Sequence, residues 1–149
     1  MIAKSASRVA EHTSVTVNQH IRRETERRIA YFADHPAEID RRLRELDEEW
    51  DIERVLETGS STLTLTGLIL GIGVNRKWLL LSLGIQAFFM QHALQGWCPP
   101  LPVFRRLGVR THYEIEQERY ALKAIRGDFK EAFSAEAAWS ATANDRAYP

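Results

Sequence analysis

The feature that most restricts this chain is where its charges are missing. Residues 60–74 contain no Asp, Glu, Lys or Arg, residues 78–103 contain none, and only Asn75, Arg76 and Lys77 separate the two stretches. Charged residues make up 27% of the whole sequence, so two such gaps are a strong segregation rather than a thin average. Two apolar segments around one short basic turn predict a helical hairpin, because a helix satisfies its own backbone groups and the turn charges mark the reversal. After Cys98, the prolines at 99, 100 and 102 cannot continue a helix. The second helix is therefore predicted to stop near Trp97 and the chain to run on extended.

Both sides of the hairpin read as amphipathic helices. Over residues 18–32, Ile21, Ile29 and Phe32 form a narrow apolar stripe among arginines and glutamates. Asp34-His35-Pro36 breaks that pattern, and Pro36 suits the first turn of the next helix, where its missing N–H costs nothing. Over residues 36–57, Ile39, Leu43, Leu46 and Trp50 recur at steps of four and three, opposite Asp40, Arg41, Arg44, Glu45, Asp47 and Glu48. That apolar face is predicted to dock on lipid or on a partner protein. Thr111 with Glu114 reads as a capping box, Ile115, Leu122 and Ile125 give the following helix its stripe, and Gly127 is its expected stop. From Ser134 onward periodicity fades and a mobile tail is expected. The expected class is all-α, a two-helix transmembrane hairpin flanked by amphipathic helices. Its segments are charged N-terminal helices over 1–57, the hairpin over 58–97, a Pro-rich linker over 98–110, and a C-terminal amphipathic helix with tail over 111–149.

Two environments can take such a hairpin. A soluble bundle, completed by oligomerisation, could bury it, and the mean hydropathy of −0.33 is that of a soluble protein. Three observations favour lipid. Leu63, Leu65, Leu68, Ile69, Leu70 and Ile72 point all round a helix, where a soluble hairpin keeps one polar face. Trp78 and Trp97 stand at opposite ends of the second segment, as indoles anchoring at headgroup level do. Gly67-x-x-x-Gly71, with Thr64 one turn earlier, is a small-residue face on which two helices pack closely.

The run from Arg76-Lys77-Trp78 through Gln95-Gly96-Trp97-Cys98-Pro99 to Leu107-Gly108-Val109 resembles the YgaP-like transmembrane domain family of small bacterial inner-membrane proteins. The matching features are a glycine-bearing first helix (Gly67, Gly71, Gly73), a short polar turn, and a second apolar helix closed by Gly-Trp-Cys-Pro. The likeness covers residues 59–111. Pro100, Leu101 and Pro102, and the helical extensions at both ends, depart from the pattern, and no rhodanese-type domain is attached. The resemblance implies a fold and a location in the inner membrane rather than a chemistry. Arg54, Arg105, Arg106 and Arg110 on the side of both termini outnumber Arg76 and Lys77 in the turn, so both termini are expected in the cytoplasm.

Charge balance narrows the partners. Twenty basic residues match twenty acidic ones, leaving no basic excess for a nucleic-acid backbone, so the expected partners are membrane lipids and a protein partner or a second copy of the chain. One cysteine excludes an intramolecular disulfide framework and a multi-thiolate zinc site. Residues 1–20 lack the apolar run of a cleavable signal.

For chemistry, Cys98 can serve as a redox-active or sulfur-carrying thiol if Arg105 or Arg106 lies close, or as a plain turn residue before two prolines. His92 is an ionisable group inside an apolar helix, either functional or hydrogen-bonded across the hairpin beside Gln91, Gln95 and Gln86. His112 could join Cys98 and His92 only across a proline-rich linker, so no metal and no cofactor are expected. The acidic run over 45–53 reads as a solvated face. Phosphate-loop, metalloprotease and nucleophile-elbow motifs are absent, which disfavours enzymatic function. The leading expectation is an accessory or scaffolding component of a membrane complex.

Overall fold

The computed structural model describes residues 7–142. Among them every regular element is helical, giving an all-α protein with more helices than a hairpin and its flanks require. The end of the expected mobile tail, residues 143–149, lies outside the described residues, as do residues 1–6 of the stretch read as lacking a signal. The chain forms two compact units. One joins the described residues up to Ile21 to Trp50–Tyr113; the other joins Arg22–Glu49 to the described residues from Glu114 on.

In the first unit, α1 (Arg8–Glu11) and the start of α2 (Val15–Asp34) accompany an antiparallel pair, α4 (Ile52–Gly73) and α5 (Leu79–Gln95), followed by α6 (Leu101–Arg106). The helix predicted over 36–57 is interrupted, because Glu49 adopts an extended conformation and Asp51 caps a new helix by accepting from the Arg54 amide at 2.8 Å. The Ile52 amide, free at that new N-terminus, donates to the Arg110 carbonyl at 2.8 Å. α4 then runs straight through Gly59 into the uncharged stretch.

Small residues set how closely α4 and α5 approach. A Cβ added at Gly67 would sit 3.1 Å from the Trp78 carbonyl oxygen and 3.2 Å from the Ser82 amide, and one at Gly71 would enter the Leu79 side chain. Ser82 Oγ donates to the Thr64 carbonyl at 3.0 Å and Gln86 Nε2 to Thr64 Oγ1 at 2.8 Å, so polar groups cross-link the pair. Gly67→Leu should push the helices apart at fixed backbone atoms and cost about 1–3 kcal/mol. Loss of amide-exchange protection in α5 would report it, and unchanged protection would contradict the close approach.

α5 ends where Gly96 turns left-handed at φ 81° and its amide donates to the His92 carbonyl at 2.7 Å. The extended linker expected next is replaced by α6. Pro100 and Pro102 occupy its entry, where amide hydrogens have no intrahelical partner, so the prolines that end one helix open another. Val9, Ile52, Leu56, Cys98 and Leu101 form the core of this unit, with Phe89, Trp97, Phe104 and Val109 packed against it.

The second unit packs Phe32 of α2, α3 (Ile39–Glu48), the residues of α7 (His112–Arg126) from Glu114 on, and α8 (Ala135–Thr142). Its core is Phe32, Ile39, Leu43, Leu46, Ile115 and Leu122. The stripe expected to dock a partner is thus consumed internally: Ile39, Leu43 and Leu46 are buried. Only Trp50 of that set stays exposed, with the Arg54 guanidinium 4.4 Å above its ring. α7 stops at Gly127, φ 98°, where the Gly127 and Asp128 amides both donate to the Lys123 carbonyl. α8 is a helix where periodicity predicts none.

Candidate functional site

Glu53, in the first turn of α4, and His92, one turn before the end of α5, face each other because the two helices run antiparallel. His92 Nε2–H donates to Glu53 Oε2 at 2.9 Å, and Arg8 Nη2 of α1 donates to Glu53 Oε1 at 2.8 Å. Both carboxylate oxygens are engaged. His92 is 1% exposed, and its Nδ1 is buried without a hydrogen-bond partner. The Cys98 thiol, brought back by the left-handed turn at Gly96, lies beside the imidazole and interacts with it through hydrogen bonding and charge, though Nδ1 has no partner in good hydrogen-bond geometry. A carboxylate, an imidazole pinned through one nitrogen, and a thiol near the other form the sequence of groups that activates a sulfur nucleophile. Such bonds are often long before a substrate binds.

Cys98 also forms part of the wall of a cavity of about 310 Å³ between α4, α5 and the Pro99–Pro100 turn. Leu56, Leu63, Ile85, Phe88 and Phe104 line it. A volume near the lower end of the usual ligand-pocket range of ~300–1,000 Å³ is enough for a hydrocarbon chain.

Hydrogen bonding from His92, then from Arg8, holds the Glu53 carboxyl down to about 2 from an ordinary 4.5. A carboxyl with a lowered folded-state pKa stabilises the fold above its unfolded pKa and loses that contribution as pH falls through the folded value. On the acid side, the stability difference between wild type and Glu53→Gln should therefore shrink below about 4.5 and be nearly lost near 2. Its size at neutral pH is about 2–3 kcal/mol. Paired urea titrations across that range check it, and a difference that does not change with pH would remove the linkage.

No family model, curated protein or solved structure matches this chain. Nothing in those comparisons identifies a YgaP-like family, so any role rests on the geometry itself.

The other residues singled out in the sequence fall in separate places. Thr64, Gly67 and Gly71 lie at the α4–α5 contact, Trp78 is exposed at the turn, and Trp97 packs on the core beside Cys98. Gln91 is half-buried and Gln95 exposed. His112 is mostly exposed, 3.7 Å from Asp51. Among the described residues no group of three His, Cys, Asp or Glu is spaced to hold a metal. Arg105, expected beside the thiol, instead directs its guanidinium to Thr13, Asn18 and the Val109 carbonyl. Glu53 was hidden in a run that reads as a solvated face. Its signal was position: it follows the Asp51 cap on the turn that also carries the buried Ile52 and Leu56.

Proposed function

We propose that this chain is a small membrane-inserted protein in which the uncharged part of α4 after Gly59 forms, with α5, a short hairpin through a bacterial inner membrane. The helical extensions then stay at the surface as an accessory element of a membrane complex. One observation carries the reading. Around the pair, Leu65, Ile69, Ile72, Leu80 and Leu83 are 59–86% exposed, a continuous apolar band that water penalises. Within Pro36–Gly73 there is a window long and apolar enough to cross a membrane, and only 17% of it is buried. α5 has 17 residues and reaches about 26 Å at 1.5 Å per residue, somewhat short of a hydrocarbon core of roughly 30 Å. Local thinning and the snorkelling Arg76 and Lys77 at the turn would close that gap. The basic residues near the base favour both ends in the cytoplasm. Alkaline carbonate extraction of membranes from expressing cells tests the proposal. Protein retained with lipid supports it, whereas release into the wash would mean that another copy or protein covers the band.

A second reading, a thiol-handling role for Cys98, is favoured by the His92–Glu53 pair beside the sulfur. Cys98 should then alkylate faster than the same cysteine in a His92→Gln variant. Equal rates would leave the thiol a core residue.

A further inference from the structure

We propose that Cys98 accepts an acyl group from a long-chain acyl thioester, with His92 as its proton partner and the adjoining apolar cavity holding the chain. This rests on the thiol-handling reading and adds its substrate class. Two observations meet at the sulfur. The first is His92 Nδ1, a fully buried nitrogen with no well-formed hydrogen bond, on the imidazole that interacts with the Cys98 thiol. Glu53 accepts from Nε2 and so fixes the ring with Nδ1 on the side of the Cys98 thiol. The second is the cavity, which puts hydrocarbon from both helices next to the same sulfur. A polar substrate would lose its water there without replacement, whereas a methylene chain gains about 0.8 kcal/mol per buried CH₂. Leu63 and Phe88 at its wall are about half exposed and belong to the apolar band, so a chain can enter from a lipid or micelle phase.

The step balances without an oxidant. The proton shared between Cys98 Sγ and His92 Nδ1 stays on the imidazole as sulfur attacks the acyl carbonyl carbon. The new S–C bond forms, the C–S bond to the donor thiol breaks, and His92 returns the proton to the departing thiolate. Cys98 is left as a thioester and the donor as a free thiol. Glu53 is a positioning residue that acts through the imidazole.

The test mixes the purified full-length chain, in detergent micelles, with palmitoyl-coenzyme A or acetyl-coenzyme A and follows the Cys98 peptide by mass spectrometry. The expected result is one hydroxylamine-labile palmitoyl group on Cys98, absent from Cys98→Ser and formed faster than the acetyl adduct. His92→Gln should slow it on the order of 100-fold. Glu53→Gln should lower kcat while leaving KM for palmitoyl-coenzyme A in place. At Gly59, which lines the cavity, an added Cβ meets nothing within 4 Å. Gly59→Leu should therefore fold, fill the cavity, and slow palmitoyl but not acetyl transfer. No adduct on folded wild type, equal palmitoyl and acetyl rates, or an unchanged rate in His92→Gln would each overturn the proposal. Iodoacetamide separates the two levels: fast, His92-dependent alkylation without acylation removes the acyl assignment and keeps the thiol reading, while slow alkylation together with no acylation removes both.

Discussion

Glu118→Ala is expected to destabilise the second unit by about 3–5 kcal/mol, the usual cost of removing one partner from a buried ion pair. The Glu118 side chain is fully buried in α7, between Ile115 and Leu122, and its Oε1 accepts from Arg42 Nε at 2.8 Å while Oε2 lies 3.2 Å from Arg28 Nε. Arg42 is itself only 14% exposed, and without the carboxylate its guanidinium loses its shortest ion pair and is left with Glu45 at 3.2 Å and Glu49 at 3.6 Å. Glu118→Gln keeps the volume and one acceptor and should lose less. The Glu24–Arg27 pair is exposed at both ends, and Glu24→Ala should change stability by no more than about 0.5–1 kcal/mol. Amide exchange at Ile115 and Leu122 reads the unit directly. A loss at Glu118 no larger than at Glu24 would show that the buried carboxylate contributes no more than a surface pair.

The second large effect is expected at Arg105. Its side chain is 1% exposed, and three hydrogen bonds join it to Thr13 Oγ1 at 3.2 Å, Asn18 Oδ1 at 3.0 Å and the Val109 carbonyl at 3.0 Å. One planar guanidinium thus ties the start of the chain to the turn after α6. Arg105→Ala leaves a cavity and several acceptors without donors, and should cost about 3–5 kcal/mol in the first unit. Arg105→Lys keeps the charge, but a single ammonium cannot reproduce the fork, so most of the loss should remain. Thermal unfolding measures both. A lysine variant as stable as wild type would mean that charge, not geometry, holds this junction.

Neither effect, nor the Glu53–His92–Cys98 cluster, is visible from charge patterning alone. An arginine or glutamate on an amphipathic helix reads as solvated; Arg28, Arg42, Glu53 and Glu118 all sit in runs of mixed charge, and Arg105 stands beside Arg106 at the end of the uncharged stretch. For Glu118 a signal existed: it lies at the three-and-four spacing of Ile115 and Leu122 and so belongs to the buried stripe. Arg105 had a weaker one, a basic residue on the six-residue helix whose Leu101 is buried. The reading of residues 98–110 as extended erred because proline was treated only as a helix terminator.

What the sequence determined by itself is local. Apolar periodicity of three and four, the charge gap over 60–74 and 78–103, and Gly127 as a helix stop follow from backbone sterics and side-chain solvation, which act over a few residues. What the tertiary structure decided is pairing across distance. Ile39, Leu43 and Leu46 became a core because Phe32, Ile115 and Leu122 supply the facing surface. Glu53, His92 and Cys98 became neighbours because α4 and α5 fold back on one another and the Gly96 turn returns the chain to their base. The imidazole next to the thiol is pinned only once Glu53, 39 residues from His92, is brought within 2.9 Å of it.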